Sequence, residues 1–299
     1  MIRIDIPATS ANLLAPVLTS LGIALTMCNR VWMEEADELK ITTTDKIKVP
    51  TDETNLIYWA ARHLYQICGK TLPGLHIIQE NNIPMARGLG SSSACIVAVF
   101  WARTVCLARR CRRATSLTLR RRLKGTRITR ARQSPAALSL LPWRASACTA
   151  FPCRFPARSA FAVMIPPFEL KTEKARGVLP TEYSREDTVF NLSRSALMTA
   201  SLFSGDQQNL RVAVQDRIHQ PYRSGLIENY DQVFRMSYEL GSLGTYVSGA
   251  GPTIISMIPT EGAEEFMSAC DSHLQDRGIN GWRVELLHTD PQGARIIIE

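Results

Sequence analysis

The eleven residues 84–94, with the sequence PMARGLGSSSA, constrain the fold of this chain more than any other segment. Two glycines and three serines come directly before an apolar stretch, residues 95–100, and this order predicts a turn followed by a buried helix. Glycine lets backbone N–H groups approach an anion closely, and a helix start adds unpaired donors and the positive end of a dipole. The segment therefore predicts a loop that binds a triphosphate.

The serines of this loop predict a second property. Their hydroxyls can add hydrogen bonds to phosphate oxygens or a ligand to Mg²⁺, which bridges those oxygens during phosphoryl transfer. The pattern is neither a Walker A loop nor a dinucleotide-binding fingerprint, and an unliganded glycine-serine turn before a helix is the alternative. We predict Ser92 as the Mg²⁺ ligand. The predicted ATP contacts in the loop are Pro84, Met85, Ala86, Arg87, Gly88, Leu89, Gly90, Ser91, Ser92, Ser93 and Ala94.

Hydrophobic periodicity outside the loop predicts alternating strands and helices. The chain opens with Ile2, Ile4 and Ile6 at every second position, which is the pattern of a half-buried strand. Mixed elements of this kind indicate an α+β fold with sheets covered by helices, and a chain of 299 residues favours two domains. The further predicted helices are 51–69 behind Thr51 and Asp52, 186–203, 225–240 and 261–276, and the further predicted strands are 75–79, 245–248, 253–258, 282–287 and 294–298.

The charge of the chain is concentrated in one segment. The formal net charge is +8, but residues 102–160 hold fourteen Arg and one Lys, and subtracting these fifteen charges leaves −7 for the rest. No Asp or Glu occurs between Glu80 and Glu169. Three explanations stay open: a basic nucleic-acid arm, a solvated insertion, or translation in a shifted reading frame. The surplus of Arg, Ser, Pro and Cys favours the frame shift, which the codons of residues 13–20 and 100–161 would show directly.

Cysteine and histidine placement indicates neither a metal framework nor export. Eight Cys show no paired CxxC spacing and five His are scattered, so neither a zinc nor a haem site is predicted and a reducing cytoplasm fits best. The uncharged residues 6–29 weakly imitate a signal peptide, but they are interrupted by polar side chains. No apolar run reaches the roughly 20 residues that span a bilayer. We therefore expect a cytoplasmic protein without a membrane partner.

Several motifs in the same order resemble those of one enzyme superfamily. PMARGLGSSSA is similar to the phosphate loop of the galactokinase, homoserine kinase and mevalonate kinase (GHMP) superfamily, with IPATSANL at 6–13 before it and SGAGPT at 248–253 after it. The resemblance covers about residues 1–13, 20–100 and 161–299. The segments that resemble the homoserine kinase family more than its relatives are PATSANL followed by SLGIAL, DETNLI at 52–57, FELKTEKARGVLP at 168–180 and HQPYR at 219–223.

The resemblance implies a two-domain GHMP kinase fold. The N-terminal domain, 1–160, would be like domain 2 of ribosomal protein S5, and the C-terminal domain, 161–299, would be ferredoxin-like. ATP and L-homoserine would meet between them, and the γ-phosphate would pass to the homoserine hydroxyl. Asn55 would lie near the adenine, homodimerisation is a family-level expectation, and nucleic acid is not an expected partner. The implied substrate contacts are Asn12, Thr172, Arg176, Arg223 and Gly249.

Two segments depart from the family. The glycine-rich turn with Phe-Asp that follows ANL is replaced by residues 14–19, and nothing in 102–160 matches the family's EGHPDN stretch, which supplies the acidic Mg²⁺ ligand. No catalytic residue is therefore assigned, and our hypothesis is a homoserine kinase with weakened or lost activity. The alternatives are a GHMP kinase acting on mevalonate or a sugar, and a non-catalytic RNA-binding derivative.

Overall fold

The first of two β-sheets is built mainly from the start of the chain. In the computed structural model, residues 1–11, 21–67, 69–106, 138–140, 149–151 and 159–298 are described. Its strands are β1 Ile2–Ala11, β2 Leu21–Ala36, β3 Lys40–Thr43, β4 Gly74–Glu80, β5 Leu138–Leu140, β6 Thr149–Phe151 and β11 Arg295–Ile298. Their order in the sheet is β11–β1–β2–β4–β3, with β5 beside β2 and β6 beside β5, and only the β3–β4 pair is parallel.

The second sheet is antiparallel and has the order β10–β7–β9–β8. Its central strand β7 is buried on both faces, because successive side chains point to opposite sides of a strand. Phe161, Val163 and Ile165 join the core shared with the first sheet, whereas Ala160, Ala162 and Met164 belong to a separate core. The strands are β7 Ser159–Ile165, β8 Gly244–Val247, β9 Ile254–Pro259 and β10 Arg283–His288.

The helices cover these sheets in layers. Helices α1 and α2 lie in the shared core with the first sheet, α4 contributes Met198 and Leu202 to the same core, and α7 and α8 pack on the far face of the second sheet. A short 3₁₀ turn, Ser224–Leu226, follows α6. The helices are α1 Leu56–Ile67, α2 Ser91–Cys106, α3 Thr172–Gly177, α4 Arg185–Ser204, α5 Leu210–Ala213, α6 Gln220–Arg223, α7 Tyr230–Glu239 and α8 Ala263–Asp276.

This architecture confirms the predicted α+β class, with some corrections to individual elements. The helix predicted from residue 51 begins at Leu56, because Asn55 is its cap and accepts a hydrogen bond from the Ile57 amide over 2.9 Å. The helix predicted over 225–240 begins at Tyr230. The sequence patterns did not predict β2, β3 or β7. The division at residue 160 stays a prediction, and the last strand, β11, lies on the first sheet.

Some predicted features fall outside the described residues. They are Asn12, the departing segment 14–19 and most of 102–160, of which only 102–106, 138–140, 149–151 and 159–160 are described. Within the part of the chain that is described, no helix combines the length and the apolar character needed to cross a membrane.

Candidate active site

The predicted phosphate loop turns sharply and ends at the start of α2. Ala86, Gly88 and Gly90 have φ angles of 53°, 78° and 80°, and α2 begins at Ser91. Leu89 is fully buried between them, and its carbonyl accepts the Thr9 amide of β1 over 3.0 Å. The first amides of a helix have no partner inside the helix, so those of residues 91–93 are donors available to an anion. The local structure that the sequence predicted here is confirmed.

The loop packs against a second glycine turn, residues 248–253, between β8 and β9. The Ser248 hydroxyl donates to the Gly88 carbonyl over 2.9 Å, and the Thr253 amide donates to the Arg87 carbonyl over 3.4 Å. Gly249 has a φ angle of 57°, and a side chain there would come within 2.8 Å of the Gly88 carbonyl. The two turns are therefore in backbone contact.

A line of buried hydroxyls runs from the second sheet through β1 to this loop. Ser248 Oγ lies 3.1 Å from Ser10 Oγ, which lies 3.2 Å from the Tyr246 hydroxyl, and all three residues are at most 1% exposed. The Ser248 hydroxyl is the donor to Ser10 Oγ as well as to the Gly88 carbonyl, and it shares its one proton between them. Between Ser10 and Tyr246 either hydroxyl can donate. The line joins both sheets to the phosphate loop.

The three loop serines differ in exposure, and Arg87 points away from the helix start. Ser91 is buried, Ser93 is half-buried and Ser92 is exposed, as a metal ligand would have to be. The Arg87 guanidinium donates to the carbonyls of Pro166 and Pro167 over 3.1 and 2.8 Å. The arginine therefore shapes the loop by tying it to the segment that leads into α3.

Asn55 has a structural role. Its side-chain amide donates to the Pro50 carbonyl over 2.8 Å and its oxygen caps α1, and the residue is 2% exposed. Both ends of its side chain are thus engaged within the protein. A contact with adenine stays a prediction.

Arg223, at the end of α6, joins two parts of the site. Its Nε donates to the Ala175 carbonyl of α3 over 3.0 Å, and its Nη1 donates to the Gly249 carbonyl over 2.9 Å. The side chain is buried, and burial is the main cause that lowers the pKa of this guanidinium, with Arg176 lowering it further and Asp216 opposing the change. Thr172 and Arg176 lie one turn apart on α3, and both are exposed. The structure therefore gathers Arg223, Arg176 and Gly249 around one place.

A buried imidazole lies in the turn before Arg223. His219 is 1% exposed, and its ring makes no hydrogen bond with the described residues, although its Nδ1 lies 3.2 Å from the Asp216 carboxylate. Burial lowers the pKa of His219 from 6.5 to about 3, with Asp216 opposing the change and Arg223 adding to it. The folded protein thus keeps this histidine uncharged.

Acid is expected to destabilise the protein through His219. Unfolded His219 takes up a proton with a pKa of 6.5, whereas the folded form does so only near 3, so the free energy of unfolding falls as pH decreases below 6.5. The slope from this residue approaches about 1.4 kcal/mol per pH unit. Urea unfolding at pH 7.5, 6.5 and 5.5 measures it. His219→Gln should have a shallower slope, while His288→Gln, at an exposed position, should match the parent. Equal slopes for all three proteins would contradict the assignment.

Comparison with known proteins places the chain in a family. Residues 55–131 match the family described as GHMP kinases N terminal domain, and residues 198–275 match GHMP kinases C terminal. A homoserine kinase of Clostridium acetobutylicum is 35% identical over 303 residues, covering 99% of this chain and all of that protein. A homoserine kinase of Synechococcus sp. is 37% identical over 316 residues, covering 99% of this chain and 97% of the relative. The chain belongs to the homoserine kinase family of GHMP kinases.

Solved structures show the same fold. A crystal structure of homoserine kinase from Cytophaga hutchinsonii superposes with a TM-score of 0.81 at 24% identity, covering 99% of this chain and 97% of that one. The galactokinase of Lactococcus lactis gives a TM-score of 0.68 at 10% identity, covering 98% of this chain and 94% of that one. The GHMP kinase fold that the motifs predicted is therefore confirmed.

Sequence reasoning did not find every residue that shapes the site of this GHMP kinase. Asp216 and the hydroxyls of Ser10 and Tyr246 had not been singled out, whereas Ser248 belongs to the SGAGPT motif. One signal was available for Asp216, because an Asp side chain in a turn commonly accepts a backbone amide two residues on, as Asp216 does from Ile218. The hydroxyl line left no such signal.

Proposed function

We propose that this chain transfers the γ-phosphate of ATP to the side-chain hydroxyl of L-homoserine. One observation carries the proposal: the 248–253 turn touches the phosphate loop at Gly88 and binds the Arg223 guanidinium at Gly249. A donor of phosphate at the loop and an amino acid held through its carboxylate at Arg223 would therefore be neighbours. The names of the curated relatives support the same substrate.

The roles of the residues follow from their chemistry. Phosphoryl transfer depends on alignment and on compensation of charge at the phosphate oxygens, which amides at a helix start supply without reorganisation. Loop residues 88–93 would hold the triphosphate. Arg223 and Arg176 would receive the carboxylate, because a guanidinium matches the planar geometry of that group. Thr172 and Asn12 would complete the amino acid pocket, and Asn12 lies outside the described residues.

Mg²⁺, when bound, would supply positive charge that offsets the charge of the phosphate oxygens. Ser92 is the candidate ligand, since its hydroxyl is exposed in the first turn of α2. Within the described residues no group of three or more His, Cys, Asp or Glu side chains is placed to hold a metal ion. Ser92 would hold the metal together with the phosphates. The reaction is a step toward threonine, and we infer a cytoplasmic place for it.

A coupled ADP-release assay tests the proposal. With Mg-ATP, we expect ADP release that depends on L-homoserine and is absent with mevalonate, galactose or no acceptor. ADP release with mevalonate or galactose in place of homoserine would show that the chain is a GHMP kinase with a different substrate. Calorimetry with a non-hydrolysable ATP analogue should be run beside it. Binding of analogue and homoserine without turnover would identify a chain that keeps the site and has lost the chemistry, and absence of both binding and turnover would refute the proposal.

A further inference from the structure

Asp216 is an unusual residue for its position. Its carboxylate is 4% exposed, and it lies in the connection between α5 and α6, where no substrate contact is predicted. Burying a carboxylate is costly unless hydrogen bonds and a counter-charge compensate for it. The surroundings of Asp216 provide both.

The hydrogen bonds of Asp216 fix the turn that leads into α6. Oδ1 accepts from the Asn191 side chain over 2.6 Å and from the Ile218 amide over 3.2 Å. Oδ2 accepts from the amides of His219 and Gln220 over 2.9 and 2.6 Å. Asn191, buried in α4, also accepts the Arg217 amide over 2.9 Å. One carboxylate thus orients four donors from two elements.

The turn is also fixed to β8. The Gln220 side chain accepts the Val247 amide over 2.8 Å and donates to the Val214 carbonyl over 3.4 Å. Val247 directly precedes the 248–253 turn, whose Gly249 carbonyl accepts Arg223. Helix α6 is four residues long, so anchoring its first residue sets the position of Arg223, its last.

The charge of Asp216 acts on the same arginine. Burial and the nearby Arg176 both oppose the charged form of Arg223, and Asp216 favours it. An asparagine would keep only one acceptor oxygen for the amides and would leave Arg223 without this counter-charge. The hydrogen bonds of Asp216 and its charge therefore both act on Arg223.

We propose that Asp216 is a positioning residue that holds Arg223 in place for the carboxylate of the amino acid substrate. This inference rests on the proposed function for its substrate, but the placement of Arg223 can be tested without any ligand. The matched control is Asp206→Asn, because Asp206 is exposed and its carboxylate likewise accepts a backbone amide two residues on, that of Gln208, over 2.9 Å.

The first measurement is side-chain NMR of arginine Nε–H groups, with the Arg223 signal assigned by its loss in Arg223→Lys. In the parent, hydrogen bonding to the Ala175 carbonyl should protect this proton from exchange. In Asp216→Asn we expect exchange about tenfold faster, with no change in Asp206→Asn. The Arg277 signal serves as the internal standard. Unchanged protection of Arg223 in Asp216→Asn overturns the inference, whether or not the parent binds homoserine.

The second measurement compares L-homoserine with 2-amino-1,4-butanediol, which has a hydroxymethyl group in place of the carboxylate. With a non-hydrolysable ATP analogue at saturation, Asp216→Asn should weaken homoserine binding about tenfold or more, and binding of the diol and of the analogue should change less than about threefold. In the double variant with Arg223→Lys the loss of homoserine affinity should be less than additive. Parent affinity for homoserine in Asp216→Asn, or equal loss of homoserine and diol, overturns the inference.

A parent that binds no homoserine refutes the proposed function instead, and the NMR measurement then decides the role of Asp216. Should Asp216→Asn fail to fold, Asp216→Glu replaces it, since the longer side chain keeps the charge but displaces the turn. The same selective loss of homoserine supports the inference, and equal loss of all ligands contradicts it.

Discussion

Replacing Gly88 with alanine is expected to weaken ATP binding by about 100-fold and to lower the free energy of unfolding by roughly 2–5 kcal/mol. The added Cβ would collide with the Ser248 carbonyl oxygen and would lie 2.9 Å from that of Gly251. The φ angle of 78° is unfavourable for a side chain as well. Since neither turn can move without losing the Ser248 bond to Gly88, the loop amides should leave their anion-binding arrangement. Calorimetry with an ATP analogue and urea unfolding measure the two effects.

Two other glycines separate the causes of this effect. Gly241 has a φ angle of 89° and nothing within 4 Å of its added Cβ, so Gly241→Ala tests the backbone conformation alone. Gly225 has open space and no left-handed backbone, so Gly225→Ala should be close to neutral. We expect Gly241→Ala to cost about 1–2 kcal/mol of stability without loss of ATP affinity. Parent-like ATP binding by Gly88→Ala would show that the contact between the two turns does not shape the phosphate site.

Replacing Arg223 with lysine is expected to reduce L-homoserine affinity by about 100-fold while ATP analogue binding changes less than about threefold. The guanidinium donates in two directions, to Ala175 and to Gly249, and a lysine ammonium has no planar fork with which to keep both bonds and also receive a carboxylate. The loss should therefore fall on the amino acid and spare the nucleotide. Calorimetry with L-homoserine and with the ATP analogue, in separate titrations, measures the two affinities.

Arg277→Lys is the matched control for this variant. Arg277 also bonds a backbone carbonyl, that of Gln232 over 3.3 Å, and a carboxylate, that of Glu239 over 2.6 Å. It directly follows α8, and both partners belong to α7, away from the site. It should bind both ligands as the parent does. If Arg223→Lys retains homoserine affinity, or if ATP analogue binding falls by the same factor, the carboxylate is held elsewhere.

The fold could be predicted from sequence only where burial is periodic. Strand β1 is half-buried at its start, so Ile2, Ile4 and Ile6 show a clear alternation. Strand β7 is buried on both faces, so its sequence is a continuous apolar run without the alternation that predicts a strand. The run also lies beside the arginine-rich segment, whose composition gave no prediction of structure. Strand β2 spans sixteen residues, with a register shift opposite Pro7 and Ala8 and polar residues in its middle, so no single period describes it.

The site could be predicted where local chemistry alone sets the structure. The phosphate loop needs glycines at two positions, because a side chain would collide with the Ser248 carbonyl oxygen at Gly88 and with the Thr9 hydroxyl at Gly90. The residues that pack against the loop are distant in sequence, so local patterns do not predict these contacts. Ser248 and Gly88 are separated by 160 residues, and Tyr246 and Ser10 by 236. The roles predicted for Asn55, Arg87, Thr172 and Arg176 stay predictions, because each role is a contact with a ligand and not a contact within the fold.

Strand β11 has a consequence for synthesis of the protein. Residues 295–298 pair with residues 2–5 at the edge of the first sheet, next to the strand that carries Thr9 and Ser10 toward the phosphate loop. On the ribosome, β1 has this edge unpaired until residues 295–298 have left the exit tunnel. Nascent chains stalled before residue 295 should therefore expose an open sheet edge to chaperones, beside the strand that reaches the phosphate loop.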